Sequence, residues 1–314
     1  MNFGKIFAYL LLVFGLGTMA LQLPELFFSP GTEVGDLAIP LLKMLLYSWT
    51  PALAAWTTQR IIFQEPVGHL GWHRRYFSFR WILGAVLVPL VLVAGTVGVT
   101  FVLGNVLHIP GFGLVLLGEP SLQALPGPFA RLLTLIPAAM PPEVGTLLAI
   151  MLVGGIFFGA TFRLLFTAGE EMGWRGFMVE ETRSLGFLGS GLVNGVLWGL
   201  WLLPLQFSSA EPWSWGLETF QTVLGTLGIT VALSFPLAYF ALKTHSIYAS
   251  ATITGILGNI AIIAGFFIFD ADPALAGVDG LAGMLVLLAI TWAIITFDKA
   301  FVEQYPKLRF RPRA

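Results

Sequence analysis

The chain contains no cysteine and little charge: Asp, Glu, Lys and Arg make up 11% of its 314 residues, and there are only four histidines. Without cysteine there is no disulfide scaffold, thiolate metal site, cysteine nucleophile or thioether haem attachment. A soluble globular domain devotes about a quarter of its residues to charge. A chain that is 57% hydrophobic, with mean hydropathy +0.86, cannot cover a water-facing surface. The formal net charge of −1 excludes a sizeable nucleic-acid surface, so no nucleic-acid partner is expected. What these absences leave is a polytopic membrane protein with lipid as its solvent.

A bilayer core requires about 20 mostly apolar residues per helix. Eight such runs are predicted, near residues 5–23, 37–58, 80–106, 144–168, 186–206, 218–241, 246–268 and 280–298. No strand alternation competes with them and nothing repeats at a fixed period. The predicted fold class is therefore all-α, with eight transmembrane helices. It divides into helices one to three with an external loop (1–143), a core of helices four to seven (144–268), and a last helix with a basic tail (269–314).

Of the 16 basic residues, all but Arg131 and Lys43 fall at or near one face, while Glu25, Glu33, Asp36, Glu119, Asp272 and Asp279 fall on the other. Cytoplasmic loops carry the positive excess, so both termini are predicted to be cytoplasmic. The expected location is an integral position in a bacterial cytoplasmic membrane. A cleaved signal peptide is the alternative reading of Lys5 and the apolar run ending Thr18-Met19-Ala20, but no small-x-small site stands out. The tail Arg309-Phe310-Arg311-Pro312-Arg313 suits anionic headgroups or a stop-transfer flank. The Pro- and Gly-rich segment 107–143 suits a re-entrant loop or a lid.

Ionisable groups within spans cost about 2.5 to 3.5 kcal/mol each at a helix centre, so each raises a functional question. The densest case is Gly169-Glu170-Glu171-Met172-Gly173-Trp174-Arg175-Gly176-Phe177, at the inner end of the fourth predicted span. On a continuous helix Glu171 and Arg175 share a face and can pair, while Glu170 is turned about 100° away. A carboxylate left partly desolvated gains proton affinity, which suits a general base acting on water. The plain alternative is an ion-paired helix end at the interface, helped by Glu180, Glu181 and Arg183.

These residues resemble the CPBP family of intramembrane proteases, which includes the type II CAAX prenyl endopeptidases and bacteriocin-processing or self-immunity proteins. Glu170-Glu171 with Arg175-Gly176-Phe177 is similar to the family's first motif. Val196 to Leu205, with Trp198, Trp201 and Pro204, resembles the second, and Ser246 to Asn259 the third. The resemblance spans roughly residues 145–265 and implies an eight-helix fold. It further implies Glu170 as base or ligand, Glu171 with Arg175 as the orienting pair, and Asn259 as donor to a developing oxyanion. In the family, two histidines complete the set and are thought to hold a metal ion or polarised water.

This chain departs from the pattern at both histidines, with Leu202 in the second motif and Gly255 in the third. Neither side chain can coordinate. The expectation is a catalytically degenerate homologue with no metal and no cofactor, acting by binding a membrane peptide or protein partner. The alternatives are an active endopeptidase using Glu170, with zinc, and a small-solute permease; the latter lacks paired inverted halves and matched broken helices.

The remaining histidines offer one relocated ligand pair. His69 and His73 have i, i+4 spacing and sit on the same predicted side as His245 and Glu170, although beside Trp72, Arg74 and Arg75 they also read as interfacial residues. Asn194, Trp198 and Leu202 share a helix face predicted to look toward Glu170, with Asn194 equally suited to interhelical hydrogen bonding. Lys43 is expected to snorkel outward, and Trp213 and Trp215 to sit in the interfacial belt.

Overall fold

The computed structural model describes residues 1–67, 70–71, 79–117, 144–207 and 216–308. Helix follows helix: α1 (Phe3–Gln22), α2 (Glu33–Thr57), α3 (Phe79–Thr100), α4 (Val144–Ala160), α5 (Leu164–Glu171), α6 (Gly186–Phe207), α7 (Leu217–Thr244), α8 (Ile247–Ile260) and α9 (Leu281–Phe297). The chain is an all-α polytopic membrane protein, as its composition requires. His69, His73, Trp213, Trp215, most of segment 107–143 and the tail from Arg309 lie outside the described residues.

Local chemistry fixes the helix ends. Asn2 caps α1 by accepting from the Lys5 N–H, and Thr32 caps α2 by accepting from Gly35. Pro51 inside α2 has no N–H to give the Tyr47 carbonyl; the Thr50 hydroxyl supplies the donor at 2.8 Å. α7 stops at His245, whose φ of 48° turns the chain, and Ser246 immediately caps α8.

Among the described residues, seven helical stretches are long and apolar enough to cross a membrane: Phe3–Leu26, Glu33–Ile62, Phe79–Val106, Leu164–Phe207, Thr219–Thr244, Ile247–Phe266 and Pro273–Phe297. Gly145–Ala160 is a shorter apolar helix. The continuous span predicted over 144–168 is instead interrupted at 161–163, where the Arg163 N–H reaches back to the Phe158 carbonyl at 3.0 Å. The cause is lateral packing. α4 lies so close to α8 that a Cβ on Gly159 would stand 2.5 Å from Ile256 Cα, and the turn after Ala160 carries Arg163 across the face of α8. The long stretch Leu164–Phe207 also bends, through a wide π-helical turn at Met172–Met178 and a short 3-10 turn at Arg183–Leu185.

α8 is the central post, packed by α3, α4, α5 and α7, with Ile253, Ile256 and Ile260 fully buried. α1 packs on α2, α2 on α5, α6 on α7, and α9 on α3 and α7. The two ends of the described chain meet at one end of the bundle. Met1, Asn2 and Lys5 share a polar cleft of about 560 Å³ with Glu180, Glu181, Arg183 and Pro306. There Tyr305 donates to Ser190 Oγ at 3.0 Å, and Arg183 donates to the Leu308 carbonyl at 2.8 Å. At the opposite end, Leu114 and Val115 pair antiparallel with Phe269 and Ile268. Asn105 secures that short ladder by bonding both the N–H and the carbonyl of Val115, at 2.8 and 3.1 Å.

Candidate functional site

The acidic pair sits where α5 passes into its wide turn, and glycine decides how closely that turn approaches α2. A Cβ on Gly169 would stand 2.5 Å from the Ser48 carbonyl oxygen, and one on Gly173 2.3 Å from Pro51 Cβ. This contact brings Ser48 to Glu170, and the hydroxyl donates to Glu170 Oε1 at 3.1 Å. Glu170 is partly buried and faces α2, within electrostatic reach of Arg163 and Arg175.

Glu171 points the other way, into the protein. Its Oε1 is 3.5 Å from Arg175 Nη1, and the two side chains are 0% and 1% exposed. The guanidinium carbon lies 4.0 Å from the centre of the Trp198 ring, a cation–π contact that ties the wide turn to α6. Tyr9 closes the other side against Trp174 and Phe177. The Ser250 side chain also faces the Glu171 carboxylate. The pair is thus held by charge and aromatic enclosure, and removal of either member leaves an uncompensated charge.

Asn259 stands one helix away. Its Oδ1 accepts from Arg163 Nη1 at 3.3 Å, and its Nδ2 donates to the carbonyls of Gly155 and Gly255 at 3.4 and 3.3 Å. Arg163 lies flat across Gly258, where a Cβ would stand 2.6 Å from the guanidinium carbon. Arg163 was grouped with the basic inner face in the sequence, and its place beside Asn259 and Glu170 was not anticipated. One signal was available: Arg163 and Glu170 are seven positions apart, two helical turns on one face.

Leu202 and Gly255, the two positions that the resemblance aligns with histidines, have different surroundings. Gly255 is buried in the α4–α8 contact, and a Cβ there would stand 2.4 Å from the Gly159 carbonyl oxygen. Leu202 lines a cavity with Trp198 and Leu257, and neither Glu170, Gly255 nor Asn259 belongs to that cavity's lining. The cavity at Leu202 is therefore shared with none of the other three positions. Thr254 bonds back to its own helix at the Ser250 and Ala251 carbonyls, and His245 sits in the α7 cap.

Among the described residues no three His, Asp or Glu side chains come together. Asn194 is enclosed, with its amide donating to Thr182 Oγ1 at 2.7 Å and to the Ser190 carbonyl at 2.8 Å. That network continues to Tyr305 and serves helix association. Lys43 turns to the helix end, where it meets Glu25 at 2.5 Å.

No curated protein sequence matches the chain. The family model for type II CAAX prenyl endopeptidase Rce1-like proteins matches residues 142–257, which hold Glu170, Glu171, Arg175, Leu202 and Gly255 and stop two residues short of Asn259. Over this segment, a little more than a third of the chain, the match supports a likeness to the CPBP family of CAAX protease-like membrane proteins.

Proposed function

We propose that the chain is a catalytically degenerate CPBP protein of a bacterial cytoplasmic membrane, which binds a membrane peptide or partner protein at the Glu170–Arg163–Asn259 cluster without cleaving it. The observation that carries this reading is the contact between Gly255 and the Gly159 carbonyl, which leaves no volume for a side chain where the family places a ligand. Leu202 removes the second donor. Asn259 supports the same view, because both its amide hydrogens are already given to backbone carbonyls and a further oxyanion would have to displace one.

In this reading Glu170, steadied by Ser48, and Arg163 present opposite charges to a bound chain, and the Glu171–Arg175 pair fixes the turn that carries Glu170. The partner class follows from the family's printed activity: a peptide with a prenylated, CAAX-type end.

The test is a cleavage and binding assay on purified protein in nanodiscs, with farnesylated CAAX peptides, with and without chelator, beside Glu170→Gln. The expected result is saturable peptide binding without turnover, weakened by Glu170→Gln or Arg163→Met, and no stoichiometric zinc in the isolated protein. Turnover that Glu170→Gln abolishes, or one tightly held zinc per chain, overturns the proposal.

A further inference from the structure

A second site lies at the end of the bundle opposite the chain termini. Between α6, α7, the end of α8 and the start of the last span is a cavity of about 690 Å³, within the size range of small-molecule sites. Its floor is Trp198, Leu202 and Leu257, and toward its mouth stand Gln221, Asp272 and Asp279. Trp198 and the mouth-side end of α6 at Gln206 both line it and are eight positions apart, so the cavity runs about 12 Å along the helix axis.

Charge is distributed unevenly along that depth. Among the described residues that line the cavity none is basic. Arg175, on the far side of the lining residue Trp198, is stacked against that ring and paired with Glu171. At the mouth, Asp272 spends one oxygen on capping, accepting from the Ala274 N–H at 2.9 Å. Asp279 also lines the cavity, with its side chain exposed at the mouth. Its backbone carbonyl abuts Gly225 of α7, 4.0 Å from where a Cβ would be, which fixes the residue at the rim.

A carboxylate at the rim repels anions and is left uncompensated by a neutral guest, whereas an ammonium there gains a partner. The hydrocarbon floor, completed by leucine at the position where an imidazole is absent, favours an apolar body. We propose that this cavity binds amphipathic cations, molecules with an ammonium group at one end and an apolar body reaching Trp198 and Leu202, admitted from the end opposite the termini. The site is separate from the Glu170 cluster, and it stands whether or not peptides are cleaved there.

The experiment is photolabelling of the full chain in phosphatidylcholine nanodiscs with a decyl trimethylammonium probe bearing a diazirine on the alkyl chain, mapped by mass spectrometry. The matching decyl sulfonate probe is run beside it. The ammonium probe is expected to label residues within 198–233, with at least fivefold less label under excess decyltrimethylammonium, and the sulfonate probe to leave that region unlabelled. Asp279→Asn, which keeps the side-chain shape, is expected to reduce the label at least threefold, and Leu202→Trp, which fills the floor, to remove it. Equal labelling by the two probes in unaltered protein overturns the proposal without any variant. Label spread over lipid-facing positions of α1 and α9, or label unaffected by Asp279→Asn in protein that elutes normally, does so equally.

Discussion

At Gly255 a single hydrogen atom occupies the space between two helices. A Cβ placed there would meet the Gly159 carbonyl oxygen at 2.4 Å, closer than packed atoms tolerate, so even alanine must push α4 away from α8. Overpacking of this kind costs about 1–3 kcal/mol. Gly255→Ala is therefore expected to lower the thermal midpoint in detergent, while a Leu202→His, Gly255→His double variant fails to acquire zinc by elemental analysis. Stoichiometric zinc in that variant would mean that the α4–α8 contact yields easily and that two substitutions suffice to restore a metal site. The Glu171–Arg175 pair gives a second residue-scale prediction. Because both side chains are enclosed, Glu171→Gln or Arg175→Met alone should destabilise by about 3–5 kcal/mol. The double variant should lose much less than the sum of the two, as measured by denaturant or thermal unfolding. Additive losses would show that the two charges do not compensate each other. This pair was legible in the sequence because i, i+4 spacing is local, and so was the turning of Glu170 away from it. The Ser48 hydrogen bond and the Arg163–Asn259 contact were not, because they join residues 122 and 96 positions apart.

At the scale of elements, hydropathy located the apolar helices well and their interruptions poorly. Thr161-Phe162-Arg163 carries no proline or glycine to announce a break, and the turn there is imposed by α8 lying against Gly155 and Gly159. The junction after the last span shows the opposite case, in which local chemistry suffices. Asp298 caps the following turn by accepting from the Phe301 N–H at 3.2 Å and meets Lys243 at 2.6 Å and Tyr239 Oη at 3.0 Å, joining α7 to α9. Burial pushes the Asp298 carboxyl upward, but the hydrogen bonds from Lys243, Tyr239 and the Phe301 backbone outweigh it and hold the group below the usual carboxylate range. A depressed carboxyl contributes stability above its unfolded value of about 3.9, and that contribution is lost as pH falls through the folded value. Asp298→Asn should accordingly cost about 1 kcal/mol at pH 7, a figure already reduced for partial solvent screening. The gap between variant and parent in thermal midpoint should close below about pH 4. A gap that persists unchanged into strong acid would assign the effect to packing rather than charge.

At the scale of the molecule, the decisive signal was the sorting of charge between the two ends, and the absence of cysteine makes it directly testable. Single cysteines need no background removed from this chain. Ser184 and Glu303 are exposed at the end where the termini meet, and Leu117 and Ala274 are exposed at the other. If the crossings sum to an even number, a membrane-impermeant maleimide applied to one side of sealed vesicles labels Ser184→Cys and Glu303→Cys together and leaves Leu117→Cys and Ala274→Cys untouched. Applied to the other side, it reverses the pattern. The excess of Lys and Arg around the first pair predicts that theirs is the cytosolic side. The interrupted passage through α4 and α5 is where this could fail. α4 is too short to be counted as a span by itself, and the even count requires that α4 and α5 cross together despite the turn at Arg163. Labelling of Leu117→Cys and Ala274→Cys from opposite sides would mean that α4 and α5 dip and return, and Arg163 would then mark the floor of a re-entrant hairpin rather than a kink within a crossing.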